Sequence, residues 1–373
     1  MKKILTILAV FMAAGCSHGR KPDNIKSTPK AVEKKVSAAD TVDKPTIHYS
    51  DQQLEAFLDS VGRLPTQPLF DKVSFLADSG FKHQQQFDTL VSAKDLNTLK
   101  KAIRRGAINV KYARRIFNNP EIDSSCTEKS IFLNYKQGLT PIEFYLFSKN
   151  NGDLDEYAIC IGDPDHCPNA CLYFFKGNRV IAMHKFYERF EPGLYHYKDS
   201  DGKTVIYYCY MFAEGSNQWW FNYFFYKYDG NKLIPVLNVL ENGNVTMTVE
   251  RAFWLESTVQ KTNPLTIKMV YHDQFPASFN DIDFGPYIIN DSTVVKYRWD
   301  ERSKTYQGNY EQSKLTKPQI TSYYLPGDNL LFINTHYQTL KNGLHDKNKR
   351  VRILNYLNEV KADGHNYSNK KSP

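Results

Sequence analysis

Several absences bound the reading. No apolar run is long enough to cross a bilayer as a helix, which takes about 20 residues; Ile4–Ala13, uncharged and mostly apolar, has ten. There is no HExxH, so the best-known zinc-hydrolase signature is missing. There is no P-loop and no GxGxxG fingerprint, so nothing marks a phosphate cradle. There is no CxxC, which removes the dithiol redox motif and the paired zinc knuckle. Net charge is also missing from the middle of the chain. The formal total is +8, but residues 19–46 hold +3, residues 341–373 hold +5, and Lys2 and Lys3 open the chain. Residues 47–340 are left at −2. A nucleic-acid binder concentrates basic charge on the folded face that docks. Here the excess lies in the ends, so nucleic acid is not an expected partner, and no cofactor or metal is expected.

What is present begins with an address. Met1-Lys2-Lys3 is a positive start, Ile4–Ala13 an apolar core, and Ala13-Ala14-Gly15-Cys16 a run of small residues closed by a cysteine. Charge to orient, an apolar core to insert and small residues for cleavage make a signal peptide. With Cys16 in that position, the segment resembles the lipobox of bacterial lipoproteins. Two positions depart from the commonest pattern: Ala13 stands where Leu is usual, and Ser17 follows the cysteine instead of Asp. The resemblance implies cleavage before Cys16, a diacylglyceryl group on its thiol and an acyl chain such as palmitate on its freed amine. It also implies a lipid-anchored envelope protein, at the outer membrane rather than the inner. Several acyl chains make a stable anchor where one is reversible.

Five cysteines follow Cys16: Cys126, Cys160, Cys167, Cys171 and Cys209. An exported protein meets an oxidising compartment, so disulfides are permitted. The cluster Cys160–Cys171 has six and three residues between its cysteines, which is not zinc-ligand spacing. Asp163-Pro164-Asp165 reads as a turn that sets Cys160 across a hairpin from Cys171. We therefore expect a bridge in this cluster, Cys160 to Cys171 first, with Cys167 and Cys126 as the other candidates. Cys209, inside Tyr207-Tyr208-Cys209-Tyr210, reads as a buried thiol.

Residues 16–48 hold Ser, Lys, Pro, Asp and Thr with almost no large apolar side chain, the composition of a tether that cannot offset its ordering entropy. Residues 49–120 read as helical. Leu54, Phe57, Leu58 and Val61 follow i, i+3, i+4, i+7 behind Ser50 or Asp51 as cap. Ser92 with Asp95 resembles a capping box ahead of Leu96, Leu99, Ala102 and Ile103, with Lys100, Lys101, Arg104 and Arg105 in the last turn and Gly106 as stop. A short helix over 108–117 follows.

From residue 121 to 345 short apolar runs alternate with Gly, Asn and Asp turns, the pattern of antiparallel sheet. The turns are read at Gly177-Asn178, Glu214–Asn217, Asp229-Gly230 and Glu241–Asn244, and Leu330–Thr335 is read as the last strand. Residues 346–373 hold a final helix, with Val351, Ile353, Leu354 and Leu357 on one face, and a polar tail. The fold class expected is α+β: an N-terminal helical segment, a mostly antiparallel β body of sandwich or propeller kind, and a short C-terminal helix.

Aromatics make up 14% of the chain, enough to ask whether they bind or pack. Adjacent strand residues point to opposite faces, so Trp219 and Trp220 cannot form one platform. We read Val205–Phe212 and Trp219–Tyr228 as a hairpin turning at Gly215, buried on both faces, and name Trp219 and Trp220 as the candidate ligand contacts. Two acidic turns, Asp153–Glu156 and Asp199–Gly202, have the start of a calcium loop without its later oxygens; the second is read as a hairpin turn. The function expected is a membrane-anchored binding or assembly module, non-catalytic, with an envelope glycan or protein as partner. The alternative is a glycan-processing hydrolase, whose carboxylate pair would leave no short signature.

Overall fold

A computed structural model describes residues 47–65, 68, 85–122, 138–187, 193–215, 218–245, 252–276, 284–310, 320 and 329–369. Residues 1–46, which hold the expected signal segment, Cys16 and all but the last two residues of the expected tether, lie outside these residues, as does Cys126.

The first helix, α1 (Asp51–Gly62), starts at a capping box. Ser50 accepts from the Gln53 amide at 3.3 Å and Gln53 Oε1 accepts from the Ser50 amide at 2.9 Å. Its stripe of Leu54, Leu58 and Val61 is buried. It packs against three helices from the far end of the chain: α4 (Asn329–Thr335), α5 (Tyr337–Gly343) and α6 (Lys347–Asn369). Phe332, Leu340, Leu344, Tyr356 and Leu357 complete that cluster. Leu330–Thr335 is thus helical, not a strand. Its Leu331, Phe332 and Ile333 are buried together, and a run of four apolar residues, Leu330–Ile333, carries no period that separates the two readings. Val351, expected on the buried face of α6, is exposed.

The next segments belong to a different layer. Strand β1 (Gln85–Leu90) leads into α2 (Ala93–Arg105), capped by Ser92, which accepts from the Asp95 amide at 3.1 Å. Gly106 ends α2 in the left-handed region at φ 69°, where glycine alone carries no Cβ cost. Strand β2 (Ala107–Asn109) and helix α3 (Val110–Phe117) follow at once.

The remaining strands form two antiparallel sheets. The first contains β1, β2, β3 (Leu139–Asn150), β4 (Asp153–Ile161), β5 (Cys171–Lys176) and β6 (Arg179–Lys185), in the order β1-β6-β5-β4-β3-β2. The second is a meander of β7 (Leu194–Lys198), β8 (Thr204–Gly215), β9 (Gln218–Asp229), β10 (Lys232–Val245), β11 (Ala252–Thr262), β12 (Leu265–Pro276), β13 (Phe284–Asp300) and β14 (Thr305–Asn309), each beside the next. The architecture is α+β with mostly antiparallel sheet and a C-terminal helix.

Strand alternation sorts the side chains into layers. One face of the first sheet, with Tyr157, Ile159, Tyr173 and Phe175, packs on Leu99 and Ala102 of α2 and on Ala113, Ile116 and Phe117 of α3. The Phe117 and Tyr173 rings stack at 3.9 Å. The other face, with Ala158, Cys160, Leu172 and Phe174, meets Ile206, Tyr208, Phe224 and Tyr226 of the second sheet. The second sheet then curls over its own far face. One cluster takes residues from all eight of its strands, from Tyr197 to Tyr306. β14 comes back against β10, and the Tyr197 and Tyr306 hydroxyls meet at 3.2 Å.

The hairpin of β8 and β9 turns as expected, with Gly215 opposite Gln218. The stretch Glu241–Asn244 does not turn. It continues β10, with Asn242 opposite Phe221 and Gly243 opposite Trp220. The register slips between Leu240 and Asn242, so Glu241 is the extra residue of a bulge. Polar and Gly residues within a strand mark a bulge as readily as a turn.

Candidate functional site

Helices α2 and α3 each spend one face on the sheet and leave the other to solvent. Because Leu99 and Ala102 point inward, Lys100, Lys101, Arg104 and Arg105 point out, and all four are exposed. In α3 the buried set is Val110, Ala113, Ile116 and Phe117, so Lys111, Tyr112, Arg114 and Arg115 are presented outward. Residues 93–117 hold eight basic residues against one acidic, a net +7. The rest of 47–340 is then at −9.

Two of these cations have partners. Arg115 pairs with Asp95 at 2.5 Å, and Arg114 Nε donates to the Ile122 carbonyl at 2.6 Å. Lys94, Lys100, Lys101, Arg104, Arg105 and Lys111 have no polar partner among the described residues. Where α2 meets β2, a groove of about 340 Å³ opens. Thr98, Lys101 and Arg105 of α2, Asn109 of β2, Tyr112 of α3 and Leu139 of β3 line it. Tyr112 is 52% exposed, with the Arg115 guanidinium 5.6 Å from its ring centre. Folded surfaces usually intersperse the two signs of charge. A single-sign field without internal partners attracts anions.

The cysteines are arranged otherwise than expected. Cys160 and Cys171 are free thiols, both buried. Ile161, not Cys160, stands opposite Cys171. That offset of one residue puts the two thiols on opposite faces of the sheet, Cys160 toward the second sheet and Cys171 toward the helices. No bridge can pass through the sheet between them. Burial pushes the Cys160 thiol well above its usual range and the Cys171 thiol up to about 11. Cys167 is disulfide-bonded. Cys209 keeps its thiol and is buried.

Of the two segments read as acidic turns, Asp199–Gly202 is a turn and Asp153–Glu156 opens strand β4, and each holds a lysine. Asp199 and Asp201 grip the Lys227 ammonium at 2.7 and 2.9 Å, and that ammonium lies 4.0 Å from the centre of the Trp299 ring. Lys227 is 1% exposed, so the pair of carboxylates offsets a buried cation. Asp155 and Glu156 hold Lys176 at 2.8 and 3.0 Å. Burial alone would raise the Glu156 carboxyl, but hydrogen bonds from Thr204, Lys176 and Ser148 outweigh it and hold it below its usual value. The first ties the turn between β7 and β8 to β9, and the second braces β4 against β5. His166 sits between Asp163, 3.0 Å from its Nδ1, and Asp165, 3.6 Å from its Nε2, on an exposed turn.

Trp219 and Trp220 lie on β9, their backbones opposite Glu214 and Ala213; their side chains are outside the described residues. The basic face was missed as a site because Lys100, Lys101, Arg104 and Arg105 were explained by the helix dipole. Counting charge by element instead of by region exposes it. Lys227 was missed because a lysine inside Phe225-Tyr226-Lys227-Tyr228 carries no motif. Compared with known proteins, the chain matches no family model, no curated protein and no solved structure.

Proposed function

We propose that the chain is an envelope lipoprotein, anchored through Cys16, tethered by residues 16–48, with a folded body that works as a non-catalytic binding or assembly module. The observation that carries the reading is the order of its first sixteen residues: Lys2-Lys3, the apolar run Ile4–Ala13, then Ala14-Gly15 directly before Cys16. Ser17 favours the outer membrane as destination. The partner class is an envelope glycan or protein met by the β body, with Trp219 and Trp220 as candidate contacts. The anchored reading also fits the thiol inventory. A thioether at Cys16 removes that sulfur from pairing, and Cys160, Cys171 and Cys209 are thiols. Cys126 is then the partner left for Cys167.

The test is replacement of Cys16. Wild-type chain should take up labelled palmitate and sediment with membranes. Cys16→Ser should take up none and leave the membrane fraction, or accumulate with its signal uncleaved. A Cys16→Ser protein that is cleaved and still withstands carbonate extraction refutes the anchor. Peptide mapping under non-reducing conditions tests the pairing: a peptide linking Cys126 to Cys167 is expected, and one linking Cys16 to Cys167 overturns both the pairing and the lipid.

A further inference from the structure

We propose that the outward face of α2 and α3 is a docking surface for the anionic headgroups of the bilayer that holds the chain. The proposal rests on the anchored reading above. Three features carry it. First, charge is segregated: 25 consecutive residues hold net +7 while the rest of the body is acidic. Second, six of the cations there have no polar partner among the described residues, so their field is spent on solvent. Third, Lys101 and Arg105, one helical turn apart on α2, line a groove of about 340 Å³ together with Asn109 and Tyr112. That groove offers two cations and an amide to a phosphate, and an amphipathic ring of the kind that settles at a membrane interface.

The same structure says how the contact is made. The apolar stripes of α2 and α3 are already consumed by the sheet, with Leu99 and Phe117 1% and 2% exposed. The helices therefore lie on headgroups through charge and do not insert an apolar face. Each basic residue near an anionic surface adds about 1 kcal/mol of attraction. A weak surface suffices when the chain is already tethered, because a flexible linker sets a local concentration of about millimolar.

The experiment uses the chain from residue 16 carrying Cys16→Ser, so that no lipid contributes. It is sedimented with vesicles of phosphatidylcholine alone and of phosphatidylcholine mixed with phosphatidylglycerol. Binding is expected only to the mixed vesicles, falling as salt rises. Lys101→Gln with Arg105→Gln should weaken it about thirtyfold, the equivalent of ~1 kcal/mol per cation. Lys370→Gln with Lys371→Gln, the same charge removed from the tail, should change it little. Both patch positions are exposed, so the melting temperature should be unchanged; Lys100→Gln with Arg104→Gln is the second variant if it is not. Absence of binding to the mixed vesicles overturns the proposal. So does an equal loss from patch and tail variants, which would make the attraction one of total charge. Displacement by millimolar inorganic phosphate at constant ionic strength would also overturn it, in favour of a site for a small free anion. None of these outcomes bears on Cys16, whose own test is fractionation.

Discussion

His184 makes the inter-sheet layer sensitive to acid. It lies on β6, 3% exposed, on the face of the first sheet that meets the second. Its ring centre is 4.7 Å from Phe174 and 4.2 Å from Tyr226. Its Nδ1 is 2.9 Å from the Tyr208 hydroxyl, and its Nε2 has no partner. The neutral imidazole satisfies the contact with the hydroxyl in either tautomer. No carboxylate stands there to stabilise a second proton, and burial lowers the pKa to about 3. In the unfolded chain the imidazole titrates near 6.5. Between those values the unfolded state binds a proton that the folded state refuses. Stability therefore falls as pH drops from about 6.5 toward 3, and His184 has no such effect above that window. At about 1.36 kcal/mol per pH unit, moving from pH 7 to pH 4.5 costs the fold ~2.5 kcal/mol through this one ring.

The perturbation is His184→Phe, and the assay is urea unfolding of both proteins at the two pH values. The variant removes one of the two hydrogen bonds of the Tyr208 hydroxyl, which also meets Tyr226, at a cost of about 1 kcal/mol at either pH. That cost cancels in the comparison, as do all other titrating groups. The wild type should lose ~2.5 kcal/mol more than the variant between pH 7 and pH 4.5. Loss of equal stability by the two proteins, within about 0.5 kcal/mol, refutes the assignment of a neutral buried ring.

The other predictions follow from single contacts. Lys227→Met should destabilise by about 3 kcal/mol, since it leaves Asp199 and Asp201 facing each other without their cation at a site where Asp199 is 9% exposed; calorimetry showing an unchanged melting temperature would mean that the ammonium contributes nothing. Native protein should resist maleimide at Cys160 and Cys171, which are buried and held protonated, and react at both in urea; labelling of either at the rate of an exposed thiol in the folded state would contradict the packing. Membrane release by Cys16→Ser and the vesicle comparison of Lys101→Gln with Arg105→Gln complete the set.

What the sequence disclosed and what it hid divide along the range of the interaction. Local signals were legible. Ser50 and Ser92 cap the helices they were expected to cap, Gly106 stops α2, and Asp229-Gly230 turns β9 into β10. Each is decided within four residues. One such signal was overlooked: Asn151 and Gly152, at φ 49° and 86°, form the tight turn between β3 and β4 that an Asn-Gly pair announces. The failures were non-local. Cys160 and Cys171 face each other in any drawing of a hairpin, and only the register, Ile161 opposite Cys171, sends them to opposite faces. Leu330–Thr335 is apolar enough for strand or helix, and the choice is made by α1 and α6, far off in the chain.

The basic face failed to show for a different reason, which bears on how charge is read. A sum over residues 47–340 returns −2 because +7 and −9 cancel. Cancellation in a sum is not cancellation in space. Fields from exposed charges are screened over about 8–10 Å at physiological ionic strength, while a 13-residue helix such as α2 is about 20 Å long. The acidic remainder can therefore neutralise α2 and α3 only where it touches them, and among the described residues it makes no ion pair with them; the one pair there, Asp95 with Arg115, lies within the segment. The patch keeps its field. Charge should accordingly be counted over segments no longer than a helix, and by that count residues 93–117 are the most distinctive part of the folded body.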